Sequence, residues 1–374
     1  MNELVLRLGS HRFSKKISPF LTKQIIDDKE LLPSDNCSNI LHGRVSAALV
    51  NLDAVCYDTL AQFVDEMNNC VEQAVAKGAQ LVCFPQYTGL LPLTVFSQYD
   101  ILEEEAENAL LACDEATLGM LGKLYSKYLS DIVFDCYYNT FALLAMKHKI
   151  YIQAGTILVN TSRGLVNRGF LFDPNGESIL QQDKLFPNRG EKMLGVCSGS
   201  DLKTAETPFG PISIIIGEDS LYFEVYRLAA SRGCKFVIAP SGGEDFPSEA
   251  HYAKGALMRA QECNLFVIQP TMFYNLFPTQ GKGAGAVYCP YRISENSDGI
   301  VTASSSQSVL VKELNSADLV RLVDDYWGDK NALVYRLLAQ DYENAFGHST
   351  TLPPQQEQEA SIAFLAESDS ETTA

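Results

Sequence analysis

The stretch from Thr207 to Ser241 holds the residues whose types and spacing bear most directly on chemistry. Ile212 to Ile216 is an apolar, β-branched run that is typical of a buried strand, and the turn residues Gly217-Glu218-Asp219-Ser220 interrupt it. Apolar residues then recur at helical spacing from Leu221 to Arg232. Many hydrolases hold a nucleophile at such a strand-to-helix turn, because the turn lifts one side chain clear of the sheet. Here the apex is Gly217, which has no side chain.

The same stretch resembles the elbow of the carbon-nitrogen hydrolases, the nitrilase superfamily. That elbow reads hydrophobic-Cys-Tyr/Glu-Asp, followed by an arginine-bearing helix and by a strand that ends in Pro-Ser. The resemblance places Gly217 at the family's catalytic cysteine, with Arg227, Pro240 and Ser241 in step around it. The family's chemistry uses a cysteine nucleophile, a glutamate base and a lysine that stabilises the oxyanion. The resemblance therefore implies that the nucleophile is missing.

A second departure stands at the end of an earlier predicted strand. Phe84-Pro85-Gln86 matches the family's Phe-Pro-Glu, in which the glutamate is the general base. An amide has nearly the shape of a carboxylate, but it does not accept a proton at neutral pH. Taken alone, Gln86 is an ordinary polar residue at a strand end. Together with Gly217 it indicates a second loss from the same machinery.

The other two active-site positions of the family are retained. Lys184 stands where the resemblance puts the oxyanion lysine, and Glu191 where it puts the second glutamate, which orients the lysine and the substrate. Glu218, next to the apex, is a further candidate pocket residue. Without the surrounding match, Lys184 and Glu191 would be read as surface residues near a turn.

Composition and charge argue against a nucleic-acid-binding or membrane protein. The chain has 374 residues, 46% of them hydrophobic, and a net charge of −17. Such a charge repels nucleic-acid phosphates and anionic lipid, so neither nucleic acid nor a membrane is an expected partner. Neither a spanning apolar run nor a secretory signal is found, which predicts a cytoplasmic location.

No cofactor and no metal site are expected. The ten cysteines form no C-x-x-C pair, and several, such as Cys83, Cys234 and Cys263, lie in apolar runs typical of buried thiols. The five histidines are far apart. Residues 281–285, GKGAG, lack the spacing of a phosphate-binding loop and are predicted to form a turn or mobile loop.

Several elements must position these residues. A strand over Arg44–Leu52, a helix over Tyr57–Lys77 and a strand over Leu81–Pro85 predict a β-α-β unit with a parallel pair. The long connection 88–140 contains helix-like pieces at 100–113 and 117–129, and it is either a rim over a pocket or a surface insertion. Strands are predicted around Pro174-Asn175-Gly176, a hairpin signal that leads to Lys184.

We predict an α/β fold, with the four-layer α-β-β-α sandwich that the resemblance implies. Residues 44–325 would form the carbon-nitrogen hydrolase-like domain. An N-terminal extension, residues 1–43, either packs on this domain or is partly disordered, and a segment that docks a partner or a membrane surface remains the alternative. Residues 326–348 are predicted as a helical extension and residues 349–374 as a disordered acidic tail.

Two function hypotheses follow. In the first the protein is a non-catalytic member with a binding, regulatory or structural role, as the homodimer that the family implies or paired with an active paralogue. In the second it hydrolyses amide or nitrile bonds without a covalent intermediate, with Glu218 or Glu191 activating a water molecule. We also expect Lys184 to face only Glu191, beneath an open volume above Gly217. Such a pocket would bind a small carboxylate or carboxamide.

Overall fold

The computed structural model describes residues 3–29, 33–242, 255–273, 284–326, 336–337 and 339–341. Met1–Leu322 is one compact unit and Val323–Ala374 is a second, of which the few described residues are helical. The predicted acidic tail 349–374 lies outside the described residues. So do most of the predicted C-terminal helical extension and residues 281–283 of the glycine-rich loop.

The strands of the described residues form two sheets. Their bounds are β1 Arg44–Asp53, β2 Leu81–Cys83, β3 Tyr151–Thr161, β4 Gly164–Phe172, β5 Ser178–Asp183, β6 Ile212–Ile214, β7 Phe236–Ile238, β8 Ser241–Gly242, β9 Phe266–Gln269, β10 Thr271–Phe273, β11 Gly285–Tyr288, β12 Ile300–Ser304 and β13 Ser308–Asn315. The first sheet has the order β5-β4-β3-β2-β1-β10-β8, with β13 also paired to β1. The second has the order β12-β11-β9-β7-β6.

The helices flank these sheets. Their bounds are α1 Glu3–Lys16, α2 Pro19–Asp27, α3 Leu60–Ala76, α4 Tyr99–Leu111, α5 Glu115–Tyr128, α6 Ser130–His148, α7 Arg189–Met193, α8 Phe223–Ser231, α9 Ala256–Cys263 and α10 Ser316–Tyr326. Thr88–Val95 and Gly217–Leu221 are 3₁₀ helices. Because the residues after Gly217 form this 3₁₀ turn, α8 begins at Phe223 rather than at the predicted Leu221.

Three apolar cores separate the layers. One lies between the first sheet and helices such as α3 and α6, and it contains Phe63, Val82 and Phe141. A second fills the space between the sheets, and a third lies between the second sheet and helices α8 and α9. Burial of one helix stripe and of both sheet faces in this way makes four layers. The predicted α/β sandwich is confirmed.

The N-terminal helices belong to the first core. Leu6 and Phe13 of α1 and Ile26 of α2 are at most 1% exposed, and the rings of Phe13 and Phe96 meet edge to face at 5.2 Å. Each large apolar side chain that is buried in this way contributes about 1.5–3 kcal/mol to the stability of the folded protein. Residues 3–27 therefore pack on the sheet-and-helix body, the first of the alternatives left open by the sequence.

In each sheet, parallel pairing places the C-terminal ends of neighbouring strands at the same edge. Strands β1, β2 and β3 run parallel, as do β6, β7 and β9 of the second sheet. The predicted parallel β-α-β unit is thus present.

A hairpin joins β4 to β5, with Gly176 at φ +82° and its N–H donating to Asp173 O at 2.9 Å. A positive φ of this kind favours glycine.

Candidate functional site

The candidate site lies where strands of the two sheets end. Gln86 follows β2 of the first sheet, and Gly217 follows β6 of the second. The chain after β7 connects them, because the Gly217 N–H donates to Pro240 O at 2.9 Å and the Gln86 N–H donates to Ser241 O at 3.3 Å. The structure thus brings together the two positions at which the resemblance implies a departure, Gln86 and Gly217.

The amide of Gln86 occupies the space above the turn. Gly217 has φ +53°, and a Cβ added to it would lie 2.4 Å from Gln86 Oε1 and 3.1 Å from Gln86 Cδ. Real Cβ atoms do not approach a heavy atom so closely, since the two would overlap. The expectation of an open volume above Gly217 is therefore wrong, because the side chain of Gln86 fills that space.

Gln86 itself is buried, with 1% of its surface exposed. Its Oε1 accepts a hydrogen bond from the Gly242 N–H at 3.1 Å. Its Nε2 has no hydrogen-bond partner among the described residues. A buried donor without a partner costs about 1–3 kcal/mol, so this N–H group favours any acceptor that reaches it.

Lys184 lies between two carboxylates. Its Nζ is 2.7 Å from Glu191 Oε2 and also forms a very short ion pair with Glu218 Oε2. Its side chain is fully buried, and those of Glu191 and Glu218 are 4% and 13% exposed. The expectation that Lys184 faces only Glu191 is wrong, because the side chain of Glu218 turns inward from the elbow. We call these three residues the Lys184 cluster; its formal charge is −1.

Polar neighbours hold Glu191 in place. Its Oε1 accepts from Tyr87 OH at 2.5 Å and from Asn167 Nδ2 at 2.8 Å. Its Oε2 accepts from the Asn188 N–H, and Asn188 Oδ1 accepts from the Glu191 N–H, each at 2.8 Å. This reciprocal pair is a capping box at the start of α7. A carboxylate held by so many donors keeps its position under Lys184.

Two further contacts join the elbow to the lysine segment. Asn188 Nδ2 donates to Glu218 Oε1 at 2.9 Å. Asp219 accepts the backbone N–H groups of Leu185 at 2.8 Å and Phe186 at 2.7 Å. Asp219 is 1% exposed, and this burial raises its pKa to about 7 against the effect of those two donors and Lys184. Asp219 therefore fixes the segment that carries Lys184.

Sequence reasoning missed Tyr87, Asn167, Asn188 and Asp219 as parts of this network. The sequence does contain a signal for Asn188. Glu191 follows it by three residues, and this spacing is the pattern of a capping box at the start of a helix. Tyr87 and Asp219 each adjoin a residue that was singled out. Asn167 lies in the middle of β4 and has no local signal, since only strand pairing places it beside Lys184.

The described part of this site contains no thiol. Cys197 Sγ lies 3.0 Å from Arg163 O, and Cys234 Sγ lies 3.4 Å from Ser213 Oγ, so both have contacts outside the elbow. The groups that remain are a buried ion cluster and an amide. They can position and hydrogen-bond a ligand, but they include neither a nucleophile at the apex nor a base at position 86.

No metal-binding group of three or more His, Cys, Asp or Glu residues occurs in the described ranges. Among the helices that the structure describes, none is long and apolar enough to cross a membrane. Cys83 and Cys234 are fully buried and Cys263 is 9% exposed, as predicted for small apolar side chains.

Comparisons with known proteins cover most of this chain. The family model for the carbon-nitrogen hydrolases matches residues 46–308. A curated relative, the probable hydrolase YhcX of Bacillus subtilis, is 27% identical over 170 residues, which are 44% of this chain. The matched part spans only 33% of that relative's length.

Solved structures of similar fold share less sequence. Nit3 of Saccharomyces cerevisiae, a nitrilase superfamily member, has a TM-score of 0.59 at 17% identity over 78% of this chain and 98% of its own. A carbon-nitrogen hydrolase of Helicobacter pylori G27 gives 0.59 and 17%, over 79% of this chain and 98% of its own. An amidase of Nesterenkonia sp. AN1, with one Glu replaced by Gln and one Cys by Ala, was solved in complex with acrylamide. It gives 0.54 and 16%, over 79% of this chain and 97% of its own.

Proposed function

Because this chain belongs to the carbon-nitrogen hydrolase family, we propose that it is a non-catalytic member that binds a small carboxamide. The observation that carries the proposal is the pairing of Gln86 with Gly217. The amide of Gln86 occupies the space that a side chain on Gly217 would need. The packing of the site therefore leaves no room for a nucleophilic side chain at position 217.

The chemistry of the residues supports a binding role. Removal of the nucleophile of a hydrolase costs on the order of 10⁶ in rate. Gln86 supplies no proton acceptor in exchange, because an amide is not basic at neutral pH. Glu218 and Glu191, the groups that would have to activate water, both pair with Lys184. A carboxylate held in such an ion pair is fixed in the geometry of the pair and is not placed to orient a water molecule.

The charges of the Lys184 cluster favour a neutral ligand. Two carboxylates already balance Lys184, so a third, on the ligand, would add like charge to a buried site. A carboxamide has one acceptor and two donors. Its NH₂ can donate to the partly exposed Glu218. Its oxygen can accept from Gln86 Nε2 once the buried amide of Gln86 turns out of the space above Gly217. Of the carboxylate and the carboxamide, we therefore propose the carboxamide.

The amidase of Nesterenkonia sp. AN1 lends support by analogy. With a glutamate changed to glutamine and a cysteine to alanine, it was solved with acrylamide, an amide, in complex. Gln86 and Gly217 are the same kind of replacement, an amide for an acid and a small residue for a thiol. A fold of this family can therefore hold an amide without those two groups.

The test is calorimetry with propionamide and acetamide, with propionate as the charged control. We expect amide binding in the millimolar range or tighter, weaker binding of propionate, and loss of amide binding in Gln86→Leu, which keeps the volume but removes the donor. Intact-mass spectrometry and ammonia release on the same samples should show no adduct and no turnover. Ammonia release that Glu218→Gln abolishes would establish non-covalent hydrolysis instead.

We also propose that the chain pairs with a second copy of itself, as the family resemblance implies. Support comes from apolar side chains on the elbow and α8: Leu221, Tyr222 and Leu228 are 37–41% exposed. The ring of Tyr222 stacks on Phe186 at 3.9 Å, and Phe186 is itself 40% exposed. Adjacent exposed apolar residues of this kind are typical of a protein interface. Pairing with an active paralogue would use the same surface.

A further inference from the structure

An apolar cavity of about 130 Å³ lies between α1 and the helices that follow β2. Its walls come from α1, the 3₁₀ helix Thr88–Val95, α4, α5 and strands β3 and β4, with leucines such as Leu6, Leu90, Leu121 and Leu158. No residue of the Lys184 cluster lines it. It is therefore a separate cavity from the candidate site.

The walls belong to the folded core. Leu6 is 0% exposed, Leu129 1% and Leu165 3%. An apolar cavity of roughly 150 Å³ stays dry and takes up a molecule such as benzene, because water finds no partners there. The cavity here is of the same order, so one six-membered ring or one short branched alkyl group fits it.

One wall of the cavity lies outside the family match. Leu6 belongs to α1, whereas the carbon-nitrogen hydrolase model matches residues 46–308. The other walls include α4 and α5, from the long connection after β2. The cavity is thus completed by a segment that the family model does not include.

The wall itself is almost wholly apolar, and one of the residues that line it carries a charge. Tyr125 OH donates to Leu158 O at 2.9 Å, and Tyr99 OH donates to Glu103 Oε1 at 3.1 Å. Glu103 is the carboxylate among the lining residues, which include no Lys, Arg or His. Burial raises the pKa of Glu103 against the hydrogen bond from Tyr99, and the charges of Glu107 and Asp100 raise it further. Because these neighbouring carboxylates carry like charge, a cation is the group that complements this position.

We propose that this cavity binds a small primary amine that carries one apolar ring or branched alkyl group. The apolar group fills the leucine-lined space, and the ammonium pairs with Glu103. Burial of the apolar group supplies the affinity, because it removes apolar surface from water. The ion pair supplies the selection for an amine. This proposal is independent of the carboxamide proposal.

Calorimetry and thermal melting with three probes of one shape test it: benzylamine, toluene and benzoate. Benzylamine should bind tightest and raise the melting temperature, toluene should bind more weakly, and benzoate should not bind. Glu103→Gln should weaken benzylamine about five-fold, the worth of one partly exposed ion pair, and leave toluene unchanged. Glu104→Gln, on the same helix but exposed and outside the wall, is the matched control and should change neither.

A second variant tests the cavity itself. Ala106 lines the space on α4. Ala106→Leu should fill it and abolish binding of benzylamine and toluene, with circular dichroism to show that the unliganded variant folds. Equal binding of benzylamine and benzoate would overturn the proposal. So would benzylamine binding that survives Glu103→Gln unweakened, or no binding of any probe at millimolar concentration. If Ala106→Leu fails to fold, the Glu103→Gln comparison alone decides.

Discussion

The side-chain amide of Gln86 stands over Gly217 so closely that a Cβ at position 217 would lie 2.4 Å from Gln86 Oε1. The two residues therefore depend on each other. Glycine leaves room for a buried glutamine, and the glutamine fills the space that the glycine leaves. The two departures from the family pattern are one structural feature, which is why restoring a single residue should not restore the site.

Restoring the cysteine should destabilise the protein. Gly217 adopts φ +53°, a region that costs a residue with a side chain about 1–2 kcal/mol, and the overlap with Gln86 adds about 1–3 kcal/mol. We expect Gly217→Cys to fold, to melt lower and to remain inactive toward amides. Urea unfolding of Gly217→Cys and Gly217→Ala measures the loss.

Gly78→Ala separates the two causes. Gly78 also has a positive φ, +82°, but a Cβ there would meet nothing within 4 Å. It should therefore show the backbone cost alone, below the loss in Gly217→Ala. In the Gln86→Ala background the extra loss at position 217 should largely disappear. Equal losses at Gly78 and Gly217, or a Gly217→Cys variant as stable as the parent, would contradict the packing argument.

The sequence predicted the strands beside the site and, through the family resemblance, the two residues that meet there. Buried apolar runs predicted β1 and β2, because the pattern of a strand is set within a few residues. The resemblance around Phe84 and Ile216 implied that Gln86 and Gly217 belong to one site. Their contact depends on strand ends that converge at one place, which no local pattern decides.

The sequence did not predict the direction of two side chains. Glu218 turns inward to Lys184, and Gln86 fills the space over the turn. Both depend on rotamers that are chosen when residues far apart in sequence pack together. Asn167, which lies on β4, contacts Glu191 only because of the strand pairing. The space above Gly217, which the residue types alone predict to be open, is therefore filled by the side chain of Gln86.

Removal of the buried cation should destabilise the protein strongly. Lys184→Met leaves the carboxylates of Glu191 and Glu218 close together and without their ammonium. Loss of one partner of a buried ion pair costs about 3–5 kcal/mol. We expect a loss of that size in the free energy of unfolding, measured with urea at pH 7.

Glu218→Gln supplies the matched comparison. If the loss comes from uncompensated carboxylates, the variant with both Lys184→Met and Glu218→Gln should be more stable than Lys184→Met alone. If Lys184→Met acted only through lost packing, the losses in unfolding free energy of the two single variants would add in the double variant. A double variant that is less stable than either single variant would count against the charge argument.

The proposed pairing surface predicts a change in association. Leu228 on α8 is 39% exposed, so Leu228→Glu should leave the fold intact. A charge at the centre of an apolar interface should shift the protein from dimer to monomer in sedimentation velocity. Met120→Glu is the control, because Met120 on α5 is 43% exposed and lies outside the proposed surface. A parent protein that is already monomeric would favour a different partner.

Asp219 should make stability depend on pH in an unusual direction. Burial raises its pKa from 3.8 to about 7, so the folded state holds this proton more tightly than the unfolded state does. Its contribution to stability is therefore fully present below about pH 4 and is lost as the pH rises through 7. Over that window the change is at most about 4 kcal/mol, from about 1.4 kcal/mol per pKa unit.

The measurement is the free energy of unfolding of the parent minus that of Asp219→Asn, from about pH 3 to 8. The variant loses one of the acceptors for Leu185 and Phe186 at every pH, so only the slope of the difference reports the titration. The difference should fall as the pH rises. Asp114→Asn is the control of opposite sign, because hydrogen bonds from Thr117 lower the pKa of that exposed carboxyl. Its contribution should be lost only as the pH falls below 4. A difference for Asp219 that is flat, or that rises with pH, would show that the two N–H donors and Lys184 outweigh burial and keep this carboxylate ionised.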